Sequence, residues 1–312
     1  ITWSLVGSEM CIRDSNQRLL FYLGTDKNIP HPNMNQHSIH DLTCNVNTHD
    51  TAYDVPLKKL LFKTNNQYKK FSFTRGDVIS NNTQNNWSLS KNRSENNNSA
   101  VILKLFNENR HWGLYYNKPR DIPFENKNNI VFWRGCSTGS SQHFNATTWQ
   151  PRKVNRFVMI EKWFNKTPDI DVGFSLIHRD WLKDKYGCYL KGPSSPSTFL
   201  TNKYLLSIEG NDKDSGLNWK LNSNSIVLMP KPRVTTWLME TCLIPNFHYI
   251  LLNDDFSDLH EKYIWCNNNQ KKCKDIINNA NLYMKQFENT RLEEQLQTDV
   301  INKYFELKDK FI

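Results

Sequence analysis

The 312-residue chain lacks the long apolar runs and the short motifs that identify several protein classes. Its apolar runs all fall short of the ~18 residues that a membrane-spanning helix needs. It contains neither the dinucleotide fingerprint GxGxxG nor the phosphate loop GxxxxGK(S/T). These absences disfavour a dinucleotide-dependent oxidoreductase and a P-loop nucleotidase.

Cysteine and histidine are present but not in metal-binding patterns. The seven cysteines include no CxxC pair and no Cys/His spacing typical of zinc. Cys266 and Cys273 fall about two turns apart on a predicted helix, too far for an easy disulfide. We therefore expect free thiols, as in a reducing compartment. Four histidines lie in the polar segment 16–60, where loop histidines are favoured over a metal site.

The chain is basic and globular in composition. Hydrophobic residues make up 38% and aromatic residues 12%, enough for a substantial core in two domains. The net charge of +9 favours an anionic partner, such as a nucleotide-sugar, an acidic glycan, a membrane surface or a nucleic acid. General solubility explains the charge equally well. A nucleic-acid-binding protein is the weakest of these alternatives, because no binding module or sustained basic stripe is recognisable.

The first residues differ in character from the rest. The string SLVGSEMCIRDS resembles a translated sequencing-adapter fragment, so residues 1–15 are expected to be foreign, with an ordinary N-terminal segment as the alternative. A natural targeting signal would then be missing from this sequence. The remainder is predicted to form an N-terminal domain of residues 16–166, a C-terminal domain of residues 167–290 and a final helix of residues 291–312.

Short apolar runs alternate with helical patterns along the chain. The runs predict strands starting at residue 71 and over residues 100–106, 129–135, 172–177, 203–208, 225–229 and 248–252. Helical patterns occupy residues 152–164, 217–222, 234–242, 276–287 and 292–300. This alternation predicts an α/β fold with a parallel sheet, whose ligands bind at the carboxyl ends of strands.

The loops after three predicted strands carry candidate ligand-binding residues. Glycines at Gly210 and Gly216 allow backbone N–H groups to approach a phosphate, and the same loop contains Asn211, Asp212 and Ser215. In the next loop, Lys231 and Arg233 can offset the charge of a diphosphate. Glu240 is a candidate for hydrogen bonds to a ribose diol. For any one of these residues, a solvated loop is the alternative.

Two further motifs concern phosphate binding and proton transfer. The segment WRGCSTG (133–139) brings Arg134, Gly135 and Thr138 to the end of a predicted strand, where guanidinium and hydroxyl donors suit a phosphate. Arg156, on the following predicted helix, is a candidate to join them. Asp77 follows a predicted strand and is a candidate general base, with a turn residue as the alternative.

With these motifs, the chain resembles glycosyltransferase family 90, the capsule-associated, lipopolysaccharide-modifying and Rumi-type protein O-glucosyltransferase family. The resemblance spans roughly residues 70–290 and is nearest to the bacterial-type branch. It is carried by RHWG (110–113), DIPFENK (121–127), VFWRGCSTG (131–139), KYLLSIEGNDKDSGLNWKLNSNSIVLMPKP (203–232), WLME (237–240) and IPNFHYILLNDDFSDLHEKYIWC (244–266). The resemblance implies a GT-B fold, in which two Rossmann-like domains face a cleft.

The resemblance also implies roles for individual residues. Arg134 and Thr138 match the arginine and threonine of the family's arginine-glycine motif. Asp77 lies where the family's catalytic aspartate precedes a strand, although Arg-Gly-Asp stands here in place of Arg-Asp-aromatic. The donor-loop arginine of Rumi-type members falls at about Gly216, where Arg233 or Lys220 are candidate substitutes. This departure leaves the sugar and the nucleotide open.

The function implied is inverting, metal-independent transfer of a glucose- or xylose-like sugar, without a cofactor. The donor would be a nucleotide-sugar, UDP-linked as is usual in the family, held by the C-terminal domain. The acceptor would be a hydroxyl of a glycan, lipopolysaccharide, capsule or protein, activated in the N-terminal domain. A non-catalytic glycan- or nucleotide-binding relative is the alternative. Bacterial relatives imply a location in the cytoplasm or at the inner membrane face with peripheral membrane association, and eukaryotic ones imply the secretory lumen.

Overall fold

The computed structural model describes residues 14–24, 38–42, 51–77, 87–95, 100–105, 120–139 and 155–310. Two compact units make up the chain. Unit 1 comprises Ile1–Gly113, Arg233–Thr241 and Lys285–Ile312, and unit 2 comprises Leu114–Pro232 and Cys242–Met284. Residues 120–139 and 155–166, which the sequence assigned to the N-terminal domain, therefore group with the strands that follow them.

Helices and strands alternate through most of the described ranges. The α-helices are α1 (Ser15–Leu23), α2 (Thr51–Lys63), α3 (Arg156–Trp163), α4 (Asp180–Tyr186), α5 (Pro196–Leu200), α6 (Leu217–Leu221), α7 (Leu259–Asn268), α8 (Gln270–Lys285) and α9 (Thr290–Asp309). The strands are β1 (Phe73–Thr74), β2 (Ser88–Ser90), β3 (Arg93–Ser94), β4 (Ala100–Ile102), β5 (Asn128–Cys136), β6 (Ile170–Leu176), β7 (Asn202–Leu206), β8 (Ile226–Met229), β9 (Val234–Thr235) and β10 (Ile250–Leu251). No helix within these ranges has both the length and the hydropathy of a membrane span.

Unit 2 is built on a five-stranded sheet with the order β10-β8-β7-β5-β6. All neighbouring strands in it are parallel. From the β6 edge, the strands lie in the order β6, β5, β7, β8, β10. The chain starts at β5, adds β6 on one side, and then adds β7, β8 and β10 on the other side. The direction in which strands are added therefore reverses between β5 and β7. This is a doubly wound topology, and the prediction of an α/β fold with a parallel sheet is confirmed.

Both faces of this sheet are covered, which explains why its strands are nearly continuous apolar runs. On one face, Val131 and Trp133 of β5 pack with Phe157 of α3 and with apolar residues of α7 and α8. On the other face, Phe132 packs with Phe199 of α5 and with Trp219 of α6. Alternation along β5 thus places successive side chains in two separate cores.

Unit 1 contains a parallel sheet of the order β1-β2-β4 and an antiparallel pair of β3 with β9. The last helix, α9, packs on α1 and α2 of the same unit. Glu293 of α9 is buried and pairs with Arg18 of α1 at 2.5 Å and with Lys104 at 2.7 Å. Two cations on one buried carboxylate offset its desolvation, so these ion pairs fix the position of α9 in unit 1.

The predicted single helix around Cys266 and Cys273 is interrupted. Asn269 separates α7 from α8, and its backbone N–H donates to Cys266 O at 3.2 Å. Both thiols are buried, and Cys273 Sγ donates to Cys266 O at 3.5 Å. The cysteines in the described part of the chain are free thiols.

The helix predicted over residues 234–242 does not form. The segment contains strand β9 and a single 3₁₀ turn, Glu240–Cys242. Thr236 donates to the Glu240 carboxylate from its backbone N–H at 2.6 Å and from its hydroxyl at 2.8 Å. Met239 has a φ of +54°, outside the helical region. Local side-chain hydrogen bonding therefore competes successfully with the helix.

A buried histidine makes the stability of unit 2 sensitive to acid. His248 is 1% exposed, and its Nδ1 accepts from Ile244 N at 2.8 Å. Burial lowers the pKa of His248 from 6.5 to about 4. Because the folded state disfavours the protonated ring, the contribution of His248 to stability is complete above the unfolded pKa and is lost as the pH falls towards the folded pKa.

We predict that the free energy of unfolding falls by about 2 kcal/mol through this group between about pH 7.5 and about pH 5. Urea unfolding at the two pH values measures the change. A His248→Asn variant keeps an oxygen acceptor near the Nδ1 position but has no ionisable ring. An equal loss in wild type and variant would assign the acid sensitivity to other groups.

Candidate functional site

The reversal of strand order in unit 2 creates a crevice at the carboxyl ends of β5 and β7. In open α/β sheets, ligands bind at this kind of switch point because the connections leave it towards opposite faces. Two chain segments follow the two strands here, Ser137–Gly139 after β5 and Ser207–Gly216 after β7. We refer to them as the 137 loop and the 207 loop.

Arg156 joins these two loops. Its Nη1 donates to Cys136 O at 3.0 Å and to Thr138 Oγ1 at 2.7 Å. Its Nε and Nη2 both donate to Ile208 O, at 3.3 and 3.1 Å. Arg156 is the first residue of α3, and Asn155 caps the helix by accepting from the backbone N–H of the third helical residue at 2.9 Å. The structure therefore gives Arg156 a positioning role at the switch point.

The charge of Arg156 is buried and opposed by acidic groups. Burial lowers the pKa of its guanidinium, while the charges of Asp214 and Asp212 favour the protonated form. Asp212 is itself 4% exposed. Arg156 is thus part of a buried group of mixed charge below the two loops.

Two glycines let the loops approach each other. Gly139 has a φ of +96°, and a Cβ on it would lie 3.2 Å from the carbonyl oxygens of Glu209 and Gly210. A Cβ on Gly210 would lie 2.8 Å from Thr138 Oγ1. Gly139 N also donates to Asn211 Oδ1 at 3.3 Å. Close backbone approach at both positions therefore requires glycine.

Asp214 forms the floor of the 207 loop. Its carboxylate accepts from Ser207 Oγ at 2.8 Å, from Gly216 N at 2.9 Å and from Lys220 Nζ at 2.5 Å. Lys220 also donates to Leu206 O at 2.9 Å. Burial raises the pKa of Asp214, but Lys220 and Arg156 outweigh it, and the net shift is downward.

The sequence interpretation missed Asp214 and considered Lys220 only as a substitute for an arginine. One local signal was present. An aspartate two residues before the glycine that caps α6 is typical of an Asx turn. The burial of Lys220 against β7 depends on the tertiary fold and has no local signal.

A Gly210→Ala variant tests whether the loops must touch. We predict that the affinity for UDP, the nucleotide expected from the sequence, falls about tenfold, because the added methyl displaces Thr138 or Arg156 and overpacking at such sites costs about 1–3 kcal/mol. Gly187→Ala is the matched control, since a Cβ there meets nothing within 4 Å. Isothermal titration with UDP measures both variants. Equal UDP affinity of Gly210→Ala and wild type would show that UDP binding does not depend on the contact between the loops.

Arg134 lies on the β6 side of β5. Its Nη2 donates to both carboxylate oxygens of Asp171 at 2.8 Å, and its Nη1 donates to Asp171 O at 3.0 Å. Lys191 donates to the same carboxylate at 2.6 Å. Burial raises the pKa of Asp171, but its bonds to Arg134 and Lys191 give a net downward shift. Arg134 thus holds β5 to β6, and its predicted contact with a phosphate stays a prediction.

The remaining residues predicted for unit 2 lie at the same sheet edge or close to the loops. Gly135 continues β5, and a Cβ on it would lie 2.5 Å from the Trp133 ring. Ser215 is partly exposed in the 207 loop. Gly216 precedes the first residue of α6. Lys231 follows the carboxyl end of β8 and is exposed.

Asp77, Arg233 and Glu240 belong to unit 1. Asp77 follows β1 and Lys91 follows the parallel neighbour β2, so both lie at the carboxyl edge of that sheet. Asp77 Oδ1 accepts from Tyr53 Oη at 2.9 Å and from Lys91 Nζ at 2.6 Å. Arg233 is exposed. Glu240 is 1% exposed and binds Thr236, so its predicted contact with a ribose stays a prediction.

Among the described residues, no group of three or more His, Cys, Asp or Glu side chains is arranged to hold a metal ion. The histidines of segment 16–60 fall outside the described ranges except for His40.

Comparison with known proteins gives the family. The chain matches Glycosyl transferase family 90 over residues 114–308, well over half its length and including both loops of the switch point. It is 34% identical over 239 residues to the O-glucosyltransferase LpsA of Dichelobacter nodosus, covering 77% of this chain and 68% of that protein. It is 28% identical over 185 residues to the uncharacterized protein 179R of Invertebrate iridescent virus 6, covering 51% of this chain and 15% of the viral protein. The chain therefore belongs to glycosyl transferase family 90.

Proposed function

We propose that this protein is an inverting glycosyltransferase that moves a glucose- or xylose-like sugar from a UDP-linked donor to a hydroxyl group. The acceptor is a glycan of lipopolysaccharide or capsule, or a protein. The observation that carries the proposal is the pair of loops joined by Arg156 at the switch point of a sheet within the family match. The similarity to an O-glucosyltransferase supports glucose as the first sugar to test.

In this proposal the donor diphosphate lies against Thr138, Gly210 and Asn211. Arg156 holds both loops in place and supplies positive charge below them. Lys231, exposed at the carboxyl end of β8, adds a second positive charge for the diphosphate. Arg134 would contact the diphosphate only after exchanging its bonds to Asp171.

The proposed reaction is a single displacement with Asp77 as the base. Asp77 takes the proton of the acceptor hydroxyl, and the resulting oxygen attacks the anomeric carbon. A new bond forms between this carbon and the acceptor oxygen, while the bond to the donor phosphate breaks and the nucleoside diphosphate leaves. Fixed positive charge and backbone dipoles stabilise the charge that develops on the leaving group. The proposal includes a GT-B fold, no metal ion and no cofactor, as the resemblance implies.

A donor panel tests the proposal. The protein is incubated with UDP-glucose, UDP-xylose, and GDP- and CDP-linked sugars, with and without a bacterial lipopolysaccharide acceptor, and the nucleoside diphosphate released is measured. We expect release from a UDP-sugar that increases when acceptor is present. Tight UDP binding without release from any donor would favour the non-catalytic relative. Neither binding nor release would contradict the proposal.

The location at the cytoplasmic face of a membrane is part of the proposal. The net charge of +9 supports peripheral attraction to an anionic membrane surface. Sedimentation with anionic vesicles at low and high salt tests it, and binding that does not weaken with salt would argue against an electrostatic association.

A further inference from the structure

Unit 2 contains an open pocket formed by the turn before edge strand β10 and by helices α7 and α8. Its volume is about 430 Å³, within the ~300–1,000 Å³ of small-molecule sites. The lining residues are Asn246, Ile250, Lys262, Trp265, Lys272, Asp275, Ile276 and Asn279. None of them belongs to the 137 loop or the 207 loop.

The spacing of the lining residues shows how the pocket is built. Lys262 and Trp265 are three residues apart on α7, and Lys272, Asp275 and Asn279 recur at three and four residues on α8. Residues at these spacings share one helical face, so each helix presents one face to the pocket. The floor is apolar, since Ile250 and Ile276 are 2% and 5% exposed.

Trp265 provides an aromatic wall. Its side chain is 36% exposed, which is high for so large an apolar group on a helix. Lys272 Nζ lies 5.8 Å from the centre of the Trp265 ring. An exposed indole beside polar groups suits a ligand with one apolar face and a polar edge. A sugar ring has this character, because its C–H groups cover one face and its hydroxyls project from the rim.

The polar groups around the indole favour a negatively charged sugar. Lys262 is opposed by Asp258 and Glu261, whose carboxylates each lie 3.9 Å from its Nζ. Lys272 therefore supplies the positive charge for a ligand, with Asp275 on the same helical face. Asn246 and Asn279 add amide groups that donate to and accept from hydroxyls. Asn246 is fixed by its own turn, where its Oδ1 accepts from Leu251 N at 3.2 Å and its backbone has a φ of +57°.

We propose that this pocket is a second binding site, which takes a sugar residue bearing a carboxylate or phosphate within the acceptor glycan. The inference rests on the proposed function, since it assumes a glycan acceptor. The site holds the glycan away from the reacting hydroxyl and contributes affinity rather than chemistry. The sugar ring stacks on Trp265, and its anionic group pairs with Lys272.

Isothermal titration with a galacturonic acid trimer tests the site directly. The expected result is binding to wild type that weakens about tenfold or more in Trp265→Ala, as truncation of an aromatic anchor usually does. Lys272→Gln is expected to weaken the binding of the acidic trimer and to leave the binding of the neutral trimer maltotriose unchanged. Ile264→Ala is the matched control, because Ile264 is exposed on the same helix and does not line the pocket.

Other results would overturn the proposal. These are no binding of the acidic trimer, equal binding to wild type and Trp265→Ala, or maltotriose binding as tightly as the acidic trimer. Inorganic phosphate that binds as tightly as the trimer and displaces it would show a site for free anions instead. UDP affinity is measured on the same variants and is expected to stay at the wild-type value. Wild-type protein that binds UDP but not the trimer therefore contradicts this inference alone, whereas wild-type protein that does not bind UDP contradicts the proposed function.

Discussion

Replacing Asp77 with Asn is expected to lower kcat by about 10²–10⁴-fold, the usual contribution of a general base. The variant removes the negative charge that, in the proposed mechanism, accepts the proton of the acceptor hydroxyl. Its amide oxygen still accepts from Tyr53 and Lys91, which hold Oδ1 of the natural carboxylate at 2.9 and 2.6 Å. The loss should therefore come from chemistry rather than from a displaced side chain.

UDP affinity separates this effect from misfolding. Lys91 has a 3% exposed side chain and loses its opposite charge in the variant, so some loss of stability is expected. UDP binding at the wild-type affinity shows that the donor site is intact. Asp309→Asn is the matched control, because Asp309 lies in the same unit and forms an exposed ion pair with Lys69. Normal transfer by Asp77→Asn would mean that another group is the base.

Replacing Lys220 with Met is expected to lower the free energy of unfolding by about 3 kcal/mol, since a buried carboxylate loses its partner. The side chains of Lys220 and Asp214 are only 3% and 12% exposed. Met fills a similar volume, so the loss reports charge rather than a cavity. Because Asp214 holds Ser207 and Gly216, the 207 loop is expected to loosen and UDP affinity to fall as well.

The double variant Asp214→Asn/Lys220→Met provides the control for this prediction. Asn keeps an acceptor at the Oδ1 position for Gly216 N, and its amide nitrogen at the Oδ2 position donates to the Ser207 hydroxyl. It also removes the unpaired charge, so most of the lost stability should return. Urea unfolding of the two single variants and the double variant gives the coupling energy. Additive losses in the double variant would show that the pair does not act as a unit.

The strands of unit 2 were predictable because each is buried on both faces and therefore stands out as an apolar run. The helix α3 was predictable for a different reason, since its apolar residues recur at helical spacing. The loops of the switch point followed from strand polarity, because ligand loops lie at carboxyl ends. Local patterns were thus sufficient wherever burial was continuous or periodic along the chain.

Two kinds of interaction leave no pattern in the local sequence. These are contacts between residues distant in sequence, and hydrogen bonds by which a side chain caps the nearby backbone. The phosphate contact expected of Arg134 stays a prediction, whereas its bonds to Asp171 had no local signal because they depend on the pairing of β5 with β6. The buried pair of Asp214 and Lys220 depends on how the 207 loop folds back over β7. The helix expected over residues 234–242 does not form because Thr236 bonds to Glu240 instead. No periodicity in the sequence reveals these bonds.

Hydrogen–deuterium exchange with and without UDP tests most directly whether the donor binds at the switch point. We predict that UDP slows amide exchange in peptides that cover residues 136–139 and 207–216 and does not change exchange in helix α4. UDP binding that leaves both loops unchanged, or that protects only unit 1, would contradict it.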